Sequence, residues 1–184
     1  MSASAVPAQL AAIPNALTVL RLALMPVFVA LLVPADDGHS IAAGIVFGAA
    51  GISDYLDGWL ARRWNVQSAF GRVADPLADR LMIDAAVVLL VLVHDRLPWA
   101  ALALIVARDV LLLAGYKLLM PSGYELSVNF LGKSATWVLY CALVFVLFTE
   151  KGTDWPVWLF WAGLALALAA GIQYGLTAIK EARR

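Results

Sequence analysis

Six apolar stretches run through the chain, approximately Pro14 to Val33, Ile41 to Arg62, Asp75 to Val93, Pro98 to Leu119, Asn129 to Phe148 and Trp155 to Ile179. Each is close to the roughly 20 residues that a helix needs to cross the hydrocarbon of a bilayer, where an open sheet edge is not tolerated. Of 184 residues, 63% are hydrophobic and 14% charged, against about 25% charged in ordinary soluble domains, so the chain reads as an all-α integral membrane protein of six transmembrane helices. Residues 1–13 form an N-terminal extension, and the spans fill 14–184 and leave no room for a separate soluble domain. The breaks at Pro34 to Gly38, His94 to Pro98, Pro121 to Gly123 and Glu150 to Asp154 carry ordinary loop chemistry.

The few charges are unevenly placed. The net charge is zero, which removes a general electrostatic case for nucleic acid as a partner. Arg62, Arg63 and Arg72 lie between spans two and three, Lys117 and Lys133 border the loop between four and five, and Lys180, Arg183 and Arg184 end the chain. The alternate loops offer Arg96 and Lys151 beside Asp36, Asp37, Asp95, Glu150 and Asp154. Positive-inside bias therefore predicts both termini on the cytoplasmic side of the membrane. No Lys or Arg precedes Arg21 and no small-residue cleavage site follows a short apolar core, so a removable signal peptide is not expected. Trp64, Trp99, Trp155 and Trp158 at span ends read as an interfacial belt, and His39 and His94 as solvated loop histidines. Gly44, Gly48 and Gly51 predict close helix packing. Cys141, the single cysteine, reads as a small buried or lipid-facing residue and excludes a disulfide framework.

Five of the ten aspartates, Asp54, Asp57, Asp75, Asp79 and Asp84, crowd into spans two and three. A carboxylate near mid-bilayer costs about 2.5–3.5 kcal/mol on insertion scales, so such a cluster is a functional hypothesis by default. Asp54 and Asp57 are three residues apart and Asp75 and Asp79 four apart, so each pair occupies one helix face. Span two ends, and span three begins, on the cytoplasmic side, which lets the pairs face each other at the depth of a lipid phosphate. Converging carboxylates repel unless a cation neutralises them. Oxygen donors with no His or Cys nearby select Mg²⁺ or Mn²⁺, and a pair of such ions balances the charge and clamps a phosphoryl group during in-line displacement. Gly58, and Gly71 in the turn before span three, would let a phosphate or sugar approach the backbone, while Pro76 suits a first helical turn. Asp79 is the best candidate to accept a proton from an attacking hydroxyl.

Written out, Asp54-x2-Asp57-Gly58-x2-Ala61-Arg62-x8-Gly71-x3-Asp75-x3-Asp79 spans 26 residues. It resembles, without a gap, the signature of the CDP-alcohol phosphatidyltransferase family. The resemblance implies a homodimer of six-helix subunits with a polar cavity open to the cytoplasm and to lipid. It also implies two divalent metals on the four motif aspartates, a CDP-diacylglycerol donor, Asp79 as catalytic base, and Gly58, Ala61, Arg62 and Gly71 around the CDP-lipid. The entry to span one, Pro14-Asn15-Ala16-Leu17-Thr18 to Arg21, resembles the phosphatidylglycerophosphate synthase and cardiolipin synthase branch, which would set Asn15, Thr18 and Arg21 near the nucleotide. Arg108-Asp109 and Gly132-Lys133 are similar to the same branch, and the segment Leu126 to Thr136 resembles its actinobacterial members.

The acceptor is the open choice. Arg108 lies deep in span four and demands an anionic partner, either Asp109, Asp84 or an acceptor phosphate. Lys133 could bind the acceptor or simply snorkel, and Lys117 is the remaining cavity-side cation beyond the motif. So few cations favour a phosphodiester lipid, phosphatidylglycerol, over glycerol 3-phosphate, with an inositol phosphate third. A reading of another class is a cation transporter with the aspartates as permeation sites, and a further one is a structural membrane subunit. Gly58, Ala61, Arg62 and Gly71 favour the enzyme, because a pore has no need of an arginine beside its cation ligands, and the chain carries no internal repeat.

Overall fold

The computed structural model describes residues 8–64, 69–119 and 130–182, with the side chains at 8–15, 57, 60–64, 69–79, 112–119, 130, 174 and 177–182 outside the description. It is all-helical. The order is α1 (Ala8–Leu32), a short 3₁₀ turn (Asp36–Gly38), α2 (Ile41–Trp64), α3 (Ala69–Leu92), α4 (Trp99–Leu119), α5 (Phe130–Phe148) and α6 (Trp155–Ala182). α1 packs along α2 and also on α3, α5 packs along α6 and also on α2, and α4 rests on α6 and α3. Within α5 and α6, Leu131–Phe148 and Trp155–Gln173 are apolar and long enough to cross a membrane, and shorter apolar segments occupy Ala16–Leu32 and Ile41–Leu56.

Large apolar residues stand outside the bundle as well as inside it. Phe28, Leu32, Phe47, Val87, Leu90, Leu143, Leu147 and Phe160 are buried, while Val27, Ile45, Ile52, Val106, Val110, Trp158 and Ile172 stand exposed on the helix exteriors. An exterior of this kind is what a lipid solvent permits and water does not. The rings of Phe28, Phe47 and Tyr140 form a column through α1, α2 and α5 with centroid spacings of 5.3 and 4.9 Å. The α2 glycines supply the approach. A Cβ at Gly44 would collide with the Phe148 ring, and one at Gly51 would stand 2.8 Å from Tyr140 Cδ1.

Three loops gather at one end of the bundle. Ser40 caps α2, its Oγ accepting from the Ala43 N–H at 3.1 Å, and its own N–H donates to the Leu147 carbonyl at 3.0 Å. Arg96 reaches from the α3–α4 loop to donate to the Thr149 and Glu150 carbonyls at 2.7 and 3.2 Å, satisfying the C-terminus of α5. Lys151 Nζ donates to the His94 carbonyl at 3.1 Å and pairs with Asp37 at 3.6 Å. Gly38, at φ +69°, is pressed against the His94 side chain, with 3.0 Å from its would-be Cβ to His94 Cβ. His94 is thus buried in this clasp rather than solvated, because these loop contacts enclose it. The loops in question are the ones that the charge pattern assigns to a common side.

Two local expectations are corrected. α3 begins at Ala69, so Gly71 lies inside the helix and not in a turn before it. Pro76 is then beyond the first turn of α3, where its missing N–H leaves the Arg72 carbonyl without a helical donor. α1 starts at Ala8, six residues before the apolar stretch that begins at Pro14.

Candidate active site

The site is built around Asp54, which lies about 20 Å of helix rise along α2 from the clasp. On α1, Thr18 and Arg21 are one turn apart, share a face, and are both buried. Arg21 Nη1 lies 2.9 Å from Asp54 Oδ1, with the guanidinium fully buried and the Asp54 side chain 37% exposed. A buried guanidinium is tolerable only beside an anion, so α1 is fixed against the first motif residue by this pair. Its remaining exposure opens Asp54 to ligand.

That open side is a groove of about 200 Å³ between α2 and α5, lined by Gly51, Asp54, Gly132, Lys133, Thr136, Trp137 and Tyr140. Lys133, Trp137 and Tyr140 recur at helical spacing on one face of α5, a signal legible in the sequence once Lys133 is chosen as the anchor. Trp137, Thr136 and Tyr140 were not singled out by motif reasoning, because apolar and hydroxyl residues in a span read as packing. Absence of a side chain at Gly51 keeps the floor low, and Tyr55 packs edge-on to Trp137 at 5.4 Å to wall the outer edge. Gly58, one turn beyond Asp54, is half-buried on the same helix.

Arg108 does not line this groove. It sits in α4, 7% exposed, with Nε 3.8 Å from Asp109 Oδ1. Of the partners anticipated for Arg108, Asp109 stands at that distance, and Asp84 of α3 lies near enough to hydrogen-bond Asp109. Arg108 Nη1 is buried with no hydrogen-bond partner among the described residues. Of the three candidate acceptor cations, Lys133 lies at the α2–α5 groove and Arg108 on α4 beside Asp109.

The remaining candidates fall outside the described side chains. Asn15 belongs to α1, Asp57, Ala61 and Arg62 to α2, Gly71, Asp75 and Asp79 to α3, and Lys117 to α4. Among the described residues, no three metal-binding side chains come together.

A helical bundle with a motif aspartate paired to a buried arginine, beside a groove that holds a lysine, carries the features that comparison with known proteins then resolves. The chain belongs to the CDP-alcohol phosphatidyltransferase family, whose sequence profile matches residues 11–169. It is 42% identical over 151 residues to a cardiolipin synthase (CMP-forming) of Streptomyces coelicolor, covering 78% of this chain and 67% of the relative. It is 33% identical over 164 residues to the CDP-diacylglycerol–glycerol-3-phosphate 3-phosphatidyltransferase of Escherichia coli K12, covering 87% of each. A protein of Shigella flexneri with the same description is 32% identical over 164 residues. The protein is accordingly an enzyme, a transferase of phospholipid biosynthesis in a membrane-embedded family.

Proposed function

We propose that the protein transfers a phosphatidyl group from CDP-diacylglycerol to the hydroxyl of phosphatidylglycerol, releasing CMP. Glycerol 3-phosphate is the second acceptor reading and an inositol phosphate the third. The observation that carries the proposal is the Arg21–Asp54 pair at the groove: it ties the branch-like entry of α1 to the first residue of the motif, beside an amphipathic groove with a lysine. Similarity to the Streptomyces cardiolipin synthase supports the lipid acceptor, and the Escherichia coli relative keeps glycerol 3-phosphate second.

The donor chemistry fits a hard divalent ion. Asp54, the described member of the set, presents a partly exposed carboxylate at the groove edge, and the other members are carboxylates as well. Asp54, Asp57, Asp75 and Asp79 would hold a pair of Mg²⁺ or Mn²⁺ ions. When bound, they supply positive charge against the diphosphate. The protein's own groups do the rest. Asn15, Gly58, Ala61, Arg62 and Gly71 bind and orient the CDP-lipid, with buried Thr18 and Arg21 acting from behind by holding Asp54 in place, while Arg108, Lys117 and Lys133 receive the acceptor's phosphate. Asp79 takes the proton from the acceptor hydroxyl as its oxygen bonds to the phosphorus bearing diacylglycerol. The bond from that phosphorus to the CMP oxygen breaks, and CMP leaves. Charge that develops during displacement is where stabilisation must act.

In this reading 14–184 form a six-span catalytic domain, 1–13 are an extension, the subunits form a homodimer, and the site and both termini face the cytoplasm. Asp79→Asn abolishes CMP release while leaving the protein folded in detergent. Retained turnover in that variant overturns the assignment of the base.

A further inference from the structure

The α2–α5 groove changes character along its length. Its polar groups sit in the first turns of α5, where Lys133 is exposed and Thr136 Oγ1 donates to the Gly132 carbonyl at 3.2 Å. Among the described groove residues Lys133 is therefore the charged donor, a match for the single charge of a phosphodiester. Beyond it, Trp137, Cys141 and Phe145 follow at four-residue steps along one side of α5, all of them exposed. No charged residue interrupts that track.

Trp137 belongs to both parts. It lines the groove, yet it is 45% exposed on the helix exterior, and it lies about 6 Å of rise beyond Lys133 in the apolar segment Leu131–Phe148. Its ring is braced by Tyr55 of α2, which meets it edge-on with centroids 5.4 Å apart. A charge at one end and an exposed apolar track leading away from it suit an amphiphile better than a small soluble anion. From Lys133 to Phe145 the track rises about 18 Å, against about 15 Å for the hydrocarbon of one leaflet, so a lipid whose phosphate meets Lys133 has a chain beside Trp137 and Cys141. An indole, apolar over most of its surface with one N–H, fits the junction where an ester carbonyl heads an acyl chain.

We infer that Trp137, braced by Tyr55, seats the ester and first acyl carbons of the acceptor lipid whose phosphate Lys133 holds, and so selects a lipid acceptor over a soluble one. The inference rests on the proposed phosphatidylglycerol acceptor and names a specificity residue for it. Lys133 alone does not discriminate, because a phosphate on any acceptor meets it. Trp137 does, because glycerol 3-phosphate and an inositol phosphate have no acyl chain to lay against it. Lys133 is the acceptor's cation in the proposed reaction, so the chain beside it is the acceptor's.

The test uses full-length protein in mixed micelles with two acceptors that share a head group, dioleoyl phosphatidylglycerol and its deacylated form, glycerophosphoglycerol. Comparing each variant with wild type on each acceptor cancels the partitioning of the lipid into micelles. Trp137→Ala lowers kcat/KM for the lipid about tenfold, while the KM for CDP-diacylglycerol and the constant for glycerophosphoglycerol, as substrate or as competitor of the lipid, stay within about twofold. Tyr55→Leu, which removes the brace, lowers the lipid value about threefold. A lipid value unmoved by Trp137→Ala, the result if the ring faces only bulk lipid, overturns the inference. So does an equal loss on both acceptors, or a rise in the KM for CDP-diacylglycerol in place of the acceptor effect, which would assign the seat to the donor. Should the thermal midpoint show that Trp137→Ala does not fold, Tyr55→Leu decides on the same comparison. Wild-type protein that releases no CMP with phosphatidylglycerol overturns the acceptor reading itself, whereas turnover of that lipid with no selective loss in the variants overturns only the role of Trp137.

Discussion

Placing a methyl group at each glycine of α2 in turn probes both the α2–α5 contact and the floor of the groove. An alanine Cβ at Gly51 would stand 2.8 and 2.9 Å from two ring carbons of Tyr140. That ring must retreat by about half an ångström to reach ordinary contact. It has little freedom to do so, being 6% exposed and packed on Phe47, which in turn packs on Phe28. Overpacking of this kind costs about 1–3 kcal/mol, which in a chain of this size lowers the thermal midpoint by about 2–12 °C. Gly44→Ala meets the Phe148 ring, but that residue is partly exposed at the end of α5 and can swing away, so the cost is smaller. At Gly48 the nearest atom, Val144 Cγ2, is 3.7 Å away, and alanine fits within about 0.5 kcal/mol. The expected order of destabilisation is Gly51, then Gly44, then Gly48, read as thermal unfolding in detergent. Because Gly51 also floors the groove, its variant loses more CMP release than unfolding accounts for. A Gly48→Ala variant as damaged as Gly51→Ala, or a Gly51→Ala variant with unchanged midpoint and turnover, refutes the packing assigned to α2 and α5.

The clasp gives further tests. Arg96→Ala removes charge-assisted bonds to the Thr149 and Glu150 carbonyls, and costs about 1–2 kcal/mol after discounting for partial exposure, measured as a lower unfolding midpoint with turnover retained. Burial, joined by the nearby Arg96 and Lys151 cations, holds the His94 imidazole below its ordinary range against weaker opposition from the Leu32 carbonyl and Asp37. The unfolded chain therefore binds the proton more tightly, so stability is full above about pH 6.5 and falls as pH drops toward the folded value; His94→Gln flattens that slope in unfolding midpoints taken across pH. Chelation of divalent ions stops CMP release and added Mg²⁺ or Mn²⁺ restores it, whereas turnover that survives exhaustive chelation contradicts the metal assignment.

Helices were legible because apolar runs bounded by Pro, Gly and Asp have few other physical solutions: α2, α4 and α5 begin within a residue of where the hydropathy pattern puts them. The start of α3 was not, since Gly71 and Pro76 are read locally as turn and first-turn residues, whereas the helix runs through both. Asp54 was visible as a charge too costly to be idle and Arg21 through the resemblance of the entry to span one, but nothing in their spacing reveals that they meet across two helices at 2.9 Å. The clasp was half legible. Its charges were grouped on one side by the loop pattern, yet the burial of His94 depends on Arg96 and Lys151 reaching residues more than fifty positions away. The groove wall at Thr136, Trp137 and Tyr140 was hidden among residues that any span could carry.

Lipid products identified by mass test the central claim most directly. Purified protein with CDP-diacylglycerol and Mg²⁺ is offered phosphatidylglycerol, glycerol 3-phosphate and an inositol phosphate in separate reactions. The account predicts CMP release with phosphatidylglycerol, matched mole for mole by a lipid carrying the acyl chains of both reactants. Failure to release CMP with phosphatidylglycerol, when either of the other acceptors supports turnover or none does, contradicts it.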